Sequence, residues 1–180
     1  ALSISATTRS PREGEVDGRE YFFVSKERFQ QMIEEGSLVE YAQYVNHYYG
    51  TPKEYVMRQM AQGKDVILEI EIQGALKVKK RFPEALLLFV TPPSAEELCR
   101  RLVGRGTETI EVINARLRRA AEEASGMEAY DYLLINDDID RCVEEMHSLI
   151  QLQHRRTVYH LEFLNRMREE LRHLDARGQQ

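Results

Sequence analysis

Short apolar segments that alternate with helical patterns constrain the fold of this chain more than any other feature. Residues 85–90 and 132–135 are continuously apolar or aromatic, and residues 94–103 and 109–125 between them have helical spacing. Strands buried on both faces of a parallel sheet give such runs, because helices cover the two faces. The pattern predicts an α/β domain built on a parallel sheet.

The first sixty residues have a different pattern. Residues 7–20 are polar and contain prolines and glycines, which predicts loop and turn. Ser25 can cap a helix that Gly36 ends, and residues 52–62 form a second candidate helix. We therefore expect a small mixed lobe at about residues 7–60, inserted into the α/β core.

A third strand is predicted at residues 65–72, followed by a short helix. Period two puts Leu68 and Ile70 on one face of this strand and Glu69 and Glu71 on the other. Carboxylates on a buried strand cost free energy unless they face a cation, a ligand or water. From sequence alone, an edge strand whose glutamates simply face water explains the pattern equally well.

Arginines are the candidate anion-binding groups. Arg9 and Arg12 flank a proline in the polar loop, Arg101 and Arg105 lie one helical turn apart, and Arg116 follows on the next helix. A single helical arginine is more often a solvated surface residue, so the argument depends on convergence. Neither G-x-x-x-x-G-K-[ST] nor G-x-G-x-x-G occurs in the sequence.

Charge and composition exclude some classes of protein. The net charge of -5 argues against a protein that coats nucleic acid, and the longest apolar run, residues 85–90, is too short to cross a bilayer. Cys99 and Cys142 are isolated and lack metal-ligand spacing. We expect a cytoplasmic protein with neither nucleic-acid nor membrane partners.

Residues 5–21 carry the strongest motif of the chain. They read SATTRSPREGEVDGREY and resemble the guanylate kinase signature T-T-R-x-P-R-x-G-E-x-x-G-x-x-Y. The resemblance continues in the family's order through about residue 150, and its further segments are 40–42, 48–51, 69–74, 92–94, 101–106 and 136–137. The residues after about 152 are outside this pattern.

The resemblance implies a P-loop nucleoside-monophosphate kinase fold, with a parallel sheet core, an inserted GMP-binding lobe and a helical lid. The implied parts are a core at 1–6, 61–103 and 131–150, a GMP lobe at 7–60, a lid at 104–130 and a tail at 151–180. It also implies ATP-dependent phosphorylation of GMP and dGMP, with Mg²⁺ bound to the ATP.

Roles for individual residues follow from the same resemblance. The implied contacts to the GMP phosphate are Arg9, Arg12, Tyr21 and Tyr49, with Ser5 and Glu15 nearby. Those to guanine are Glu40 and Thr51, with Glu71 near the amino group; Glu69 and Glu71 would approach Mg²⁺ through water. The ATP side comprises Arg101, Arg105, Arg116, Asn136 and Asp137, and the arginines that stabilise the moving phosphoryl group are Arg9, Arg101, Arg105 and Arg116.

Three departures and one rival function accompany the resemblance. The Walker motif is not among the 180 residues, so we expect an upstream segment to be missing and these residues alone to have negligible kinase activity. Ala6 replaces a frequent hydroxyl residue, and Glu71 replaces the usual Asp. The rival function is a non-catalytic, phosphopeptide-binding module of the same fold.

Two further segments have open interpretations from sequence. Residues 136–138 follow a predicted strand, where a ligand could bind, but an Asx cap for the next helix fits the same composition. The tail has an apolar stripe at three- and four-residue steps, which predicts a buried face. That face packs either on this chain's own core or against a second copy in a homodimer.

Overall fold

The chain forms two compact units in a computed structural model, residues 1–87 and residues 88–180. The structure describes residues 1–44, 46–104 and 109–178. The division into core, lobe, lid and tail stays a prediction, since the compact units are defined by contacts and not by function.

The first unit is built on a four-stranded sheet. Its elements are β1 (Ser5–Thr7), β2 (Tyr21–Phe23), α1 (Lys26–Glu34), β3 (Leu38–Tyr44), β4 (His47–Pro52), α2 (Lys53–Ala61) and α3 (Ile72–Arg81). The strand order is β2-β1-β4-β3, with β1 parallel to β2 and the other two pairs antiparallel. Ala6 and Phe29 are almost fully buried and form the centre of the core between the sheet and α1.

The predicted limits of α1 are confirmed. The Ser25 hydroxyl accepts a hydrogen bond of 3.1 Å from the backbone N–H of Arg28, which satisfies one of the unpaired donors at the helix start. Gly36 ends the helix with a φ of 63°, a conformation that glycine adopts without steric cost. Local capping chemistry therefore determines both ends.

The strand predicted at residues 65–72 is wrong as a regular strand. Only Ile67 pairs, in a parallel bridge with Leu2, and its backbone hydrogen bonds go to Ala1 and Ser3. α3 begins at Ile72, because Glu71 caps it, and this ends the extended segment early. The predicted alternation nevertheless persists in burial, since Leu68 and Ile70 are half-buried whereas Glu69 is exposed.

The second unit contains a parallel strand pair, as the apolar runs predict. Its elements are β5 (Leu88–Thr91), α4 (Ala95–Gly104), α5 (Ile110–Ala124), β6 (Tyr132–Ile135), α6 (Ile139–Gln153) and α7 (Leu161–Gly178). β5 and β6 pair in parallel from Leu88↔Tyr132 to Thr91↔Ile135. Leu134 is 1% exposed and Leu133 is 57% exposed, so the two faces of β6 differ strongly in burial.

The apolar stripe of α7 is exposed. The side chains of Leu161, Met167, Leu171 and Leu174 are between 39% and 62% exposed. These four side chains are therefore not buried in the chain's own core, whereas Leu164 of the same stripe is half-buried, so neither of the two sequence alternatives is decided. Within the described ranges, no helix is both long and apolar enough to cross a membrane.

Candidate functional site

Thr7 anchors the loop that carries the first candidate arginine. Its hydroxyl, which is fully buried, donates a hydrogen bond of 3.0 Å to the carbonyl of Tyr48 on β4. The same oxygen accepts from the backbone N–H of Arg9 at 3.2 Å. The loop thus leaves the sheet from a fixed point. Sequence reasoning assigned no role to Thr7, although it lies in the T-T-R part of the signature.

Arg9 and Glu15 form a bidentate ion pair. The two terminal guanidinium nitrogens of Arg9 donate to the two carboxylate oxygens of Glu15 at 2.9 and 2.8 Å. The backbone N–H of Arg12 also donates to Glu15, at 2.6 Å. The hydrogen bond from Arg9 is the main cause of a lowered pKa of Glu15, and the reciprocal bond raises the pKa of Arg9. The loop is closed around one charged pair, and Arg12 lies exposed beside it.

Two tyrosines complete this cluster. The guanidinium carbon of Arg9 lies 5.3 Å from the ring centre of Tyr21, and Tyr21 packs edge-on against Tyr49 at 6.1 Å. Burial raises the pKa of Tyr21, and the nearby Tyr49 and Glu69 raise it further. Ser5 lies beside Tyr21, because the two residues are register partners on β1 and β2. A guanidinium with neighbouring phenols suits an anionic ligand.

Glu40 and Thr51 form the second cluster. Glu40 is 6% exposed and Thr51 is fully buried. The Thr51 hydroxyl donates a hydrogen bond of 2.7 Å to Oε1 of Glu40. Burial raises the pKa of Glu40, whereas the bond from Thr51 and the charge of Lys77 lower it and the charge of Glu71 raises it. The Thr51 proton is thus engaged with the carboxylate, so donation to a ligand carbonyl would require this hydroxyl to turn.

Glu71 has a structural role that the sequence analysis missed. It is the N-cap of α3, and its Oε1 accepts a hydrogen bond of 2.9 Å from the backbone N–H of Gly74. Glutamate is not among the residues that are preferred at N-caps, so the sequence carried no signal for this role. The strand predicted to run to residue 72 left no place for a helix cap at residue 71. Glu71 also lies within electrostatic range of Glu40.

The two clusters are connected through β4. Tyr49 and Thr51 are two residues apart on this strand, so their side chains point to the same face about 7 Å apart. An arginine–tyrosine group therefore lies at one end of this face and a buried carboxylate at the other. This arrangement fits a ligand with an anionic group and a separate edge of hydrogen-bond donors.

In the second unit, Arg101 and Asn136 line one cavity of about 150 Å³, together with residues of β5 and α4. The backbone N–H of Asn136 donates to the carbonyl of Thr91 at 2.8 Å. Nε of Arg101 donates to Glu97 at 2.6 Å. Hydrogen bonds from Arg100 and Arg101 lower the pKa of Glu97 to about 2. Glu97 is an additional residue here, to which the sequence analysis gave no role in a ligand site.

The remaining candidates of this unit are Asp137, Arg116 and Arg105. The carboxylate of Asp137 pairs with Arg141 and accepts from the N–H of Asp138. Asp138 caps α6 by accepting from the backbone N–H of Arg141 at 2.9 Å, which confirms the helix-cap alternative for that residue. Arg116 lies half-buried on α5. Arg105 lies outside the described residues.

Oxygen ligands for a divalent cation are few. Across the described ranges, no group of three or more His, Cys, Asp or Glu side chains could hold a metal ion. Glu69 is exposed, and Glu71 is half-buried with one oxygen used as a helix cap. These two carboxylates fit Mg²⁺ only in the mode in which the ion keeps most of its waters and takes its other ligands from substrate phosphates.

Comparison with known proteins gives a consistent result. The family model described as guanylate kinase matches residues 1–153. Guanylate kinase from Caldanaerobacter subterraneus is 51% identical over 169 residues, which is 94% of this chain and 82% of that protein. Guanylate kinase from Halalkalibacterium halodurans is 54% identical over 152 residues, 84% of this chain and 74% of that protein. The crystal structure of guanylate kinase from Anaplasma phagocytophilum superimposes with a TM-score of 0.75 and 34% identity, covering 87% of this chain and 77% of that one.

Proposed function

The chain belongs to the guanylate kinase family, and we propose that it phosphorylates GMP and dGMP to the diphosphates with ATP as the donor. The observation that carries this proposal is Glu40, a buried carboxylate with one oxygen bound to Thr51. The proposal places guanine at this carboxylate and the GMP phosphate at Arg9, Tyr21 and Tyr49.

Glu40 provides the selection of the base. The pairing edge of guanine carries two adjacent donors, a ring N–H and an amino group, which a carboxylate can accept in a bidentate manner. Adenine presents a lone pair where guanine has the ring N–H, so it would leave a buried carboxylate oxygen without a partner. A mismatch of this kind at a buried polar site gives roughly 10⁴-fold discrimination. Thr51 holds Oε1 of Glu40 and therefore orients the carboxylate for this pairing.

The phosphate end uses charge and hydroxyl groups. Arg9 is oriented by Glu15 and by the ring of Tyr21, with Tyr49 also hydrogen-bonded to it. Arg12 lies in the same loop as Arg9, and Ser5 lies on β1, the strand that precedes this loop. These two residues complete the proposed phosphate contacts. The half-buried phenol of Tyr21 is protonated near neutral pH, as any phenol is, and its raised pKa only extends this range to higher pH, so it can donate to the phosphate.

The ATP side is proposed to be in the second unit. Arg101 and Asn136 share a cavity there, and we assign the adenine to Asn136 and Asp137. We assign the stabilisation of the negative charge on the moving phosphoryl group to four arginines, namely Arg9, Arg101, Arg105 and Arg116. Phosphoryl transfer needs mainly positioning and charge stabilisation, so no side-chain nucleophile is required.

Mg²⁺ is the cation proposed to accompany ATP, with Glu69 and Glu71 holding its waters. When bound, it would neutralise charge on the phosphate oxygens. Glu71 has one carboxylate oxygen committed to the N–H of Gly74, so it would offer the other oxygen. Glu69 is exposed and lies within electrostatic range of Tyr21.

A homodimer through α7 and a cytoplasmic location are the remaining parts of the proposal. The exposed apolar side chains of Leu171 and Leu174 support the dimer, because burial against a second copy would remove them from water. The thiols of Cys99 and Cys142, which form no disulfide, support a reducing compartment. No observation on the described residues favours the rival phosphopeptide-binding module, and the presence of Arg101, Arg116, Asn136 and Asp137 supports a second nucleotide, which a peptide binder would not need.

Glu40→Gln tests the proposed function. Its amide cannot accept from both guanine donors, so we expect GMP affinity to fall by about 100-fold or more in calorimetry. Glu54→Gln, an exposed change on α2, is the control. Unchanged GMP affinity in Glu40→Gln would contradict the assignment. GDP formation, with AMP as the competing acceptor, is measured on the full-length protein.

A further inference from the structure

Gly74 of α3 lies against the carboxylate of Glu40. Gly74 is buried in the first turn of α3. A Cβ atom at this position would lie 2.5 Å from Oε2 and 3.2 Å from Cδ of Glu40. The first distance is shorter than any ordinary contact between non-bonded heavy atoms. Any residue other than glycine would therefore force the carboxylate to move.

The backbone conformation does not require a glycine at position 74. Glycine is disfavoured inside helices, and Gly74 does not have the positive φ that characterises Gly14, Gly18, Gly36 and Gly63. Gly104, at the end of α4, is different, because a Cβ there would meet nothing within 4 Å. What distinguishes Gly74 is its neighbour, and that neighbour is the carboxylate proposed to bind guanine.

The two oxygens of Glu40 are thus constrained in different ways. Oε1 accepts the hydrogen bond from Thr51, and Oε2 faces the surface of α3 at Gly74. A carboxylate is planar, so fixing one oxygen by a hydrogen bond and the space around the other by packing determines the orientation of the whole group. Lys77, one turn further along α3, donates to the carbonyl of Tyr41 and ties the helix to β3 at 2.8 Å.

We propose that Gly74 is a positioning residue for guanine selection, since its missing side chain allows Glu40 to present both carboxylate oxygens to the base. This inference rests on the proposed function of Glu40. In Gly74→Ala, the new methyl group displaces Oε2 and the bidentate geometry is lost. The ring N–H and the amino group can then no longer be accepted together.

The test compares GMP with IMP, which has the ring N–H and the carbonyl of guanine but lacks the amino group. We expect Gly74→Ala to weaken GMP binding by roughly 10-fold or more in calorimetry, and to reduce the preference for GMP over IMP. Gly104→Ala, a helical glycine with open space around it, should change neither quantity. Gly74→Ala that keeps both the GMP affinity and the GMP/IMP ratio overturns the inference.

A second measurement removes or shortens the Glu40 side chain, against which the new methyl group would clash. It tests the inference even if Gly74→Ala alone folds poorly. In the Glu40→Ala background the methyl group added by Gly74→Ala has no carboxylate to displace, so this substitution should no longer lower the melting temperature. In the Glu40→Asp background, the shorter side chain should likewise reduce the effect of Gly74→Ala on GMP affinity. Equal effects of Gly74→Ala in all backgrounds would contradict a role through Glu40.

The inference and the proposed function can fail separately. If Glu40→Gln leaves GMP affinity unchanged, Glu40 does not bind guanine and both fail. If Glu40→Gln loses GMP but Gly74→Ala retains full affinity and selectivity, only the role of Gly74 is wrong.

Discussion

The hydroxyl of Thr51 and the carboxylate of Glu40 are joined by a hydrogen bond of 2.7 Å between two buried side chains on neighbouring strands. A hydrogen bond donated to a carboxylate stabilises its ionised form, which is the form that guanine would require. Thr51 therefore supports base selection indirectly, by preparing Glu40.

Thr51→Val should weaken GMP binding by about 10- to 100-fold, because a hydrogen bond to a charged, buried group contributes about 1.5–3 kcal/mol. Valine keeps the shape of threonine, so the sheet should remain folded. Thr51→Ser retains the hydroxyl and is the matched control, for which near-normal affinity is expected. Calorimetry with GMP decides between them, and equal affinity of Thr51→Val and the unchanged protein would contradict this role.

The pH dependence of base binding follows from the raised pKa of Glu40. Burial is the main cause, opposed by Thr51 and Lys77 and reinforced by Glu71. Binding requires the ionised carboxylate, so the affinity is full above this pKa and is lost as the pH falls through it, at a higher pH than for an exposed glutamate. Guanosine should show the same loss, which separates Glu40 from the titration of the GMP phosphate.

Stability should respond to the same group with the opposite sign. A carboxyl whose pKa is higher in the folded than in the unfolded state binds protons preferentially when folded, so its contribution to stability increases as the pH falls through that pKa. Denaturation of the unliganded chain, compared between the unchanged protein and Glu40→Gln, measures this contribution. A contribution that decreases with falling pH would contradict a raised pKa.

Glu15→Gln should weaken binding of the phosphate end alone. The change removes the bidentate partner that orients Arg9, so GMP affinity should fall roughly 3- to 30-fold while guanosine affinity stays constant. Glu20→Gln is the matched control, because Glu20 pairs with the exposed Arg19 in the same loop. A parallel loss of guanosine binding would indicate a general disturbance of the lobe.

Glu97→Gln should affect turnover more than GMP binding. Glu97 binds Nε of Arg101, and the amide would hold this arginine less firmly. We expect kcat of the full-length protein to fall by about 3- to 10-fold with little change in KM for GMP, since Arg101 is assigned to the moving phosphoryl group. Glu96→Gln, its exposed neighbour, is the control. A change in KM alone would argue against this assignment.

Substitution of both Leu171 and Leu174 by Glu should convert a dimer into a folded monomer in sedimentation. Both side chains are more than half exposed on the same stripe of α7, and burying four charges at the interface would oppose association. Glu169→Lys changes a charge on the opposite face of the helix and should leave association intact. Truncation after Leu152 should have the same effect as the leucine substitutions. Failure of both changes to alter the association state would contradict a dimer through α7.

Local features were predictable from the sequence wherever neighbours along the chain decide them. Ser25 and Gly36 limit α1 through backbone hydrogen bonds and φ preference, and the apolar runs identify the parallel pair β5–β6. The same local chemistry was misjudged at residues 65–72, because a strand also needs partners, and only Ile67 has one as a bridge.

The signature within residues 5–21, together with Glu40 and Thr51, determined the family and the candidate residues, but the tertiary structure decided how they act. The pairing of Arg9 with Glu15, the bond from Thr51 to Glu40 and the capping of α3 by Glu71 arise from packing and are not encoded in periodicity. The closeness of Gly74 to Glu40 depends on α3 packing against β3, two elements that are distant in sequence. Sequence patterns report which groups are present and which faces are apolar. Only the folded chain fixes the distances of a few ångströms on which carboxylate orientation and pKa depend.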